Sequence, residues 1–216
     1  MDLVIFDLDG TLIDSSRDLA NAVNATRAHL GLAPIEHETV YSYVGNGAPV
    51  LIRKALGPEY RDDDVQRALE YFLAYYREHM LDNTVLYPGV REVLDRLRDA
   101  GITMAVLTNK PVRFSQAIVD GLGLSSHFLR VYGGNSFEQK KPNPVGIETL
   151  MDEAGAAREG TVMVGDSSVD VQTARNARVT AAGVTWGFQP ETFTEWPPDF
   201  LVETAGELAE RLLDRG

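Results

Sequence analysis

The chain opens on an unbroken apolar run, Leu3-Val4-Ile5-Phe6, closed by Asp7-Leu8-Asp9-Gly10-Thr11. A run of that length, β-branched and aromatic and ended by a glycine turn, predicts a buried strand. Over residues 14–80 the spacing becomes helical and predicts no strand. Leu19, Val23, Thr26 and Leu30 recur three to four apart, with Asp14 or Ser15 as the cap and Gly31 as the stop. Residues 36–44 predict a shorter helix, broken by Gly45-Asn46-Gly47. Residues 48–56 predict a third, with Pro49 in its first turn and Gly57-Pro58 beyond its end. Residues 62–80 place Val65, Leu69, Phe72, Leu73 and Tyr76 on one stripe, which reads as a core face rather than a cofactor box.

From Tyr87-Pro88-Gly89 onward, strands and helices alternate. A helix carrying Val90, Val93, Leu94 and Leu97 closes at Gly101. Strands are predicted at 102–107, 129–132, 161–164, 181–185 and 200–202, and helices at 111–121, 145–154, 169–177 and 205–213. The proline-rich stretch 189–199 reads as a loop. Such alternation predicts an α/β fold, a doubly wound, mostly parallel sheet of Rossmann-like type. The expected organisation is a core of residues 1–13 and 84–216 with an inserted all-α cap, residues 14–83. An insert leaving just after the first strand would sit over the carboxyl ends of the strands, where open α/β sheets hold their ligands.

Composition narrows the class. An apolar content of 44% and a charged content of 24% fit an ordinary globular protein. No apolar stretch approaches the roughly 20 residues of a membrane span, and no signal peptide is read, so a cytoplasmic enzyme is expected. The absence of cysteine excludes disulfides, thiolate metal sites and a cysteine nucleophile. A net charge of −12 argues against nucleic acid or an anionic membrane as partner. A small anionic substrate would need local help from a metal and lysines. The pattern carries no signal for an oligomeric state.

Asp7 and Asp9 stand two apart on a strand, so they leave the core on the same side. Paired carboxylates repel unless a cation or a shared proton relieves them. Other strand ends carry Thr108-Asn109-Lys110 and Gly165-Asp166-Ser167-Ser168-Val169-Asp170, and Lys140-Lys141-Pro142-Asn143-Pro144 precedes a helix. Singly, each has a plain reading. Thr-Asn is a turn or cap, Lys-Lys-Pro a solvated loop, and Asp166 a cap for the helix that follows. Their joint placement on one rim is what those readings leave unexplained.

These residues resemble the haloacid dehalogenase-like phosphohydrolases over nearly the whole chain. The family's Asp-x-Asp-x-Thr stands as Asp7 to Thr11, and its Ser or Thr after a strand as Thr108. Its Lys before a helix stands as Lys141, and its Gly-Asp-x-x-x-Asp as Gly165 to Asp170. The resemblance implies Mg2+ and hydrolysis of a small phosphorylated metabolite. Asp7 would form an aspartyl-phosphate and Asp9 would serve as acid and then base. Thr108 and Lys141 would hold the phosphoryl oxygens. The implied metal ligands are Asp7, the Asp9 main-chain carbonyl and Asp166, with Asp170 direct or through water. Asn109, beside Thr108, is a further candidate for substrate binding.

The second aspartate favours phosphate ester chemistry over dehalogenation, while sugar phosphomutases share all four motifs. The cap segment Ser42 to Pro49 is similar to the specificity loop of phosphoglycolate phosphatases. There Gly45, Asn46 and Gly47 would admit a small carboxylate to backbone amides, and Arg53 would add positive charge. Gly-Asn-Gly reads equally as an interhelical turn, and Arg53, on charge alone, as a surface residue. The expected function is a phosphatase for a small monoester, 2-phosphoglycolate foremost. The alternatives are a sugar phosphomutase or another small-metabolite phosphatase, pyrophosphatase included, and a phospho-accepting signalling module. His29, His37, His79 and His127 show no metal-ligand spacing, and Trp186 and Trp196 read as packing residues.

Overall fold

A computed structural model describes residues 1–214. Strand β1 (Leu3–Phe6) is fully buried at the centre of a six-stranded sheet in the order β5-β4-β1-β6-β7-β8. Its neighbours are β4 (Thr103–Leu107) and β6 (Thr161–Gly165), followed outward by β5 (Val131–Tyr132) on one side. On the other side lie β7 (Thr180–Val184) and β8 (Phe200–Val202). Every pairing in this sheet is parallel, and the register sets Leu3 opposite both Thr103 and Thr161. All strands therefore present their carboxyl ends on one side.

The two-residue period of β1 divides the core. Leu3 and Ile5 join Ile147, Leu150, Val171 and Ala174 on one face, beneath α7 (Val145–Ala154) and α8 (Ser168–Ala177). Val4 and Phe6 face α5 (Val90–Asp99), α6 (Val112–Gly121) and α9 (Ala205–Leu213) on the other. With both faces covered, β1 carries no polar position, as parallel central strands require.

Between β1 and β4 lies the helical cap: α1 (Ser16–His29), α2 (His37–Tyr41), α3 (Ala48–Leu56) and α4 (Asp62–His79). Strands β2 (Ile13–Asp14) and β3 (Val85–Leu86), which the apolar pattern does not predict, pair antiparallel where the chain enters and leaves this segment. Two residues are too few for a period to show in sequence. Buried Asp18 reinforces the junction, accepting hydrogen bonds from the N–H groups of Asn83 (2.9 Å) and Thr84 (2.8 Å) and from both side chains.

Most predicted elements are present within a residue or two. Helix α2 is shorter than the predicted 36–44, because Tyr43 and Val44 bond back to Val40 and Tyr41 and tighten the last turn. The stretch 189–199 holds a short 3-10 turn at Pro190–Thr194. No helix among the described residues is long and apolar enough to cross a membrane.

Candidate active site

Asp7 follows the last residue of β1, its N–H bonded to Val164 O at 2.9 Å. Its Oδ1 accepts from Leu8 N–H at 2.7 Å and faces Lys141 Nζ at 3.0 Å. The same ammonium donates to Asp170 Oδ1 at 2.7 Å, so one buried lysine serves two carboxylates. Asp170 is the third residue of α8 and is otherwise engaged in capping it. Its Oδ2 accepts from Ser167 Oγ at 2.8 Å and from Ser167 N–H at 3.2 Å. The cap of α8 is thus this reciprocal pair, not Asp166.

Asp166 accepts from Phe188 N–H at 2.7 Å through Oδ2, and from Thr11 Oγ1 at 3.4 Å through Oδ1. Two glycines let the chain approach it. A Cβ at Gly10 (φ +82°) would lie 2.3 Å from Asp166 Oδ2, and one at Gly187 would lie 2.2 Å from Asp166 Cβ.

Oxygens of Asp7, Asp166 and Asp170 lie within 4.8 Å of one another, all three residues being buried. Burial is the main force raising Asp7 to about 6; Lys141 opposes it and Asp170 adds to it. Asp166 is held well above the usual carboxylate range by burial, then by Asp170 and Asp7. Burial works against the charge of Lys141, yet its two carboxylates hold its pKa above the ordinary value. When ionised, three acids with one ammonium among them leave negative charge in excess. That excess and an all-oxygen donor set fit a hard divalent cation.

The Asp9 carboxylate lies outside this cluster. Lys110 Nζ stands 3.0 Å from both of its oxygens, and Ser15 Oγ donates to Oδ1 at 2.5 Å. Ser15, a candidate cap for α1, makes no cap hydrogen bond there. Lys110 also donates to Tyr76 Oη of α4 at 2.7 Å. Burial opposes its charge, but Asp9 and Tyr76 outweigh it and keep its pKa raised. Burial pushes the Tyr76 phenol up to about 12, so it stays protonated at neutral pH.

Several of these groups, though not Lys141 or Asp170, line a cavity between core and cap. Asp7, Asp9, Thr108, Asn109, Lys110 and Asp166 line it from the core. Gly45, Gly47, Leu51, Phe72, Leu73 and Tyr76 line it from the cap. The stripe on α4, expected to be core alone, therefore also walls the site: Val65 is buried away from it while Phe72, Leu73 and Tyr76 face it. Thr108 ends up just beyond β4, its Oγ1 accepting from Lys110 N–H at 3.3 Å. Asn109 Nδ2 donates to Gly45 O (3.1 Å) and Lys141 O (3.2 Å).

Two predicted cap residues are placed differently. Arg53 is not in the cavity wall. Its guanidinium donates to Tyr60 O at 2.6 Å and pairs with Asp62, so its charge is used at the start of α4. Asn46 is likewise absent from the wall, and its carbonyl is held by Lys140 at 2.6 Å. Lys140 is exposed as a solvated loop would have it, whereas Lys141 is buried. Sequence reasoning missed Lys110, Ser15 and Tyr76. Only for Lys110 was a signal present, its place directly after Thr108-Asn109 at a strand end. Of the four histidines, His127 is buried and bonded to Asp95 at 2.9 Å, a structural role.

Known proteins bear on this arrangement. A family model for haloacid dehalogenase-like hydrolases matches residues 4–184. The chain belongs to this family. A phosphoglycolate phosphatase of Colwellia psychrerythraea is 38% identical over 214 residues, covering 96% of this chain and 95% of its own. One from Pseudomonas putida is 45% identical over 192 residues, covering 86% of this chain and 70% of its own. A crystal structure of a predicted phosphoglycolate phosphatase from Haemophilus somnus superposes with a TM-score of 0.92 at 30% identity. That match covers 100% of this chain and 98% of the other. Membership accounts for the parallel sheet with a helical cap above Asp7, and removes the signalling-module alternative.

Proposed function

We propose that this hydrolase is a cytoplasmic phosphatase for small phosphate monoesters, 2-phosphoglycolate foremost, with residues 1–13 and 84–216 as catalytic core and 14–83 as cap. One observation carries the reading: Asp7, oriented by Leu8 N–H and Lys141, lies beside Asp166 in a cavity roofed by the cap.

In the first step Asp7 attacks phosphorus, the bond to the ester oxygen breaks, and an aspartyl-phosphate forms. For this step Asp9 must enter protonated, its ion pair with Lys110 given up, and it passes that proton to the departing oxygen. In the second step Asp9 takes a proton from water, which attacks phosphorus and regenerates Asp7. Lys110 and Ser15 hold the Asp9 side chain in the cavity, outside the acidic cluster. Thr108 and Lys141 hold the phosphoryl oxygens, positioning and charge compensation being most of what phosphoryl transfer needs. Asp7, Asp166 and the Asp9 main-chain carbonyl would hold Mg2+, with Asp170 direct or through water, and the ion would supply further positive charge to the phosphoryl group. The double use of Asp170 by Lys141 and Ser167 favours contact through water.

Substrate choice falls to the cap. Gly45 and Gly47 line the cavity, and the relatives named above support 2-phosphoglycolate. A panel of phosphorylated metabolites, ranked by kcat/KM with Mg2+ present, tests this. 2-Phosphoglycolate is expected first, with phosphate released. Conversion of a sugar phosphate into its isomer without phosphate release would make the chain a mutase instead.

A further inference from the structure

Between α2 and α3 the cap loop, residues 42–47, turns its backbone carbonyls toward the core, and side chains of three core loops seize them. Gln189 Nε2 donates to Ser42 O at 3.0 Å and to Val44 O at 2.9 Å. Asn109 Nδ2 donates to Gly45 O at 3.1 Å, and Lys140 Nζ to Asn46 O at 2.6 Å. Each donor is a side chain and each acceptor is backbone. The grip therefore depends on the path of the loop and not on the side chains it carries. Positive φ values at Gly45 (+106°) and Gly47 (+85°) set that path.

Gln189 differs from the other two donors. Asn109 and Lys140 adjoin Thr108 and Lys141, so each is tied to the phosphoryl-binding residues by the chain itself. Gln189 belongs to the segment after β7, and that segment is fixed independently. Phe188 N–H holds Asp166 Oδ2 at 2.7 Å, and the Phe188 ring stacks on Tyr41 of α2 with centroids 6.3 Å apart. On the other side, Thr192 donates to Gln189 O from its N–H (3.1 Å) and its Oγ1 (2.6 Å). The amide of Gln189 is thus presented to the cap from an anchored backbone.

We propose that Gln189 is a positioning residue that clamps the cap loop over the catalytic cavity, so that it sets the fraction of enzyme ready to bind substrate. A small substrate enclosed by the cap can bind productively only when the loop is closed, and apparent affinity falls with the closed fraction. The kinetic half of this inference rests on the phosphatase reading; the structural half does not.

The test compares wild type with Gln189→Met, which keeps length and packing without the donors, and with Gln189→Glu, which sets an acceptor against two carbonyls. Amide exchange on the metal-free protein should quicken about five-fold or more within residues 42–47 in both variants, with α1 and α4 unchanged. KM for the best substrate of the panel should rise about tenfold, the loss of one to two hydrogen bonds, while kcat stays within about two-fold. Unchanged exchange in residues 42–47 together with unchanged KM overturns the inference. So does faster exchange spread evenly through α1–α4, which would mean general loosening of the cap. If wild type hydrolyses no phosphate ester, the phosphatase reading fails, and exchange alone decides the clamp.

Discussion

Lys110 Nζ lies 3.0 Å from both carboxylate oxygens of Asp9 and 2.7 Å from the Tyr76 hydroxyl, joining a core ion pair to the cap helix α4. The side chains of the pair are 5% and 12% exposed, so neither charge is well solvated. Removing one partner of a buried pair leaves the other uncompensated. Lys110→Met is therefore expected to lower stability by about 3 kcal/mol, and Asp9→Asn with Lys110→Met by less than the sum of the single changes. Urea unfolding of the four proteins measures the coupling. Strict additivity would mean the contact contributes nothing.

The acidic cluster predicts how pH and cation act together. Asp7 and Asp166 have folded-state pKa values above those of the unfolded chain. Between the unfolded value near 4 and the folded value of about 6 for Asp7, the native state binds more protons than the unfolded one. Stability of the metal-free protein therefore falls as pH rises through that window. A divalent cation competes with those protons, so Mg2+ should raise Tm more at pH 7.5 than at pH 5. A larger gain at pH 5, or none at either pH, would contradict the proposed cation site.

Arg53 and Gly47 predict opposite outcomes within the cap. Arg53 is engaged with Tyr60 O and Asp62, so Arg53→Ala should leave kcat/KM within about two-fold and lower stability by about 1 kcal/mol. A Cβ at Gly47 would lie 3.1 Å from Asn109 O on a backbone of φ +85°. Gly47→Ala should therefore shift the loop and reduce kcat/KM for 2-phosphoglycolate about tenfold, with a smaller loss on an aryl phosphate. Equal losses on both substrates would point to damage beyond the loop.

The fold was legible where periods were long. The four apolar residues of β1 and the stripe of α5 announced themselves because burial on a fixed period leaves no other pattern. The two-residue strands β2 and β3 did not, since pairing at that length comes from tertiary contact. Asp7, Thr108 and Asp166 could be picked out at strand ends and Lys141 before a helix, and the structure brings Asp7, Lys141 and Asp166 close together. What stayed hidden was direction. Arg53 of the cap and Lys110 of the core are both cations, and nothing in the chain around them signals that one pairs with Asp62 while the other meets Asp9. The α4 stripe was apolar for two reasons at once, core and cavity wall, which no spacing can separate.

The central claim is that Asp7 carries the phosphoryl group. Rapid quench of a single turnover with 32P-labelled 2-phosphoglycolate, followed by tryptic mapping, tests it most directly. The account predicts a hydroxylamine-labile label on the peptide of residues 1–17, absent in Asp7→Asn together with a turnover loss of about a thousandfold or more. A label on another peptide, or Asp7→Asn that still turns over substrate, would contradict it.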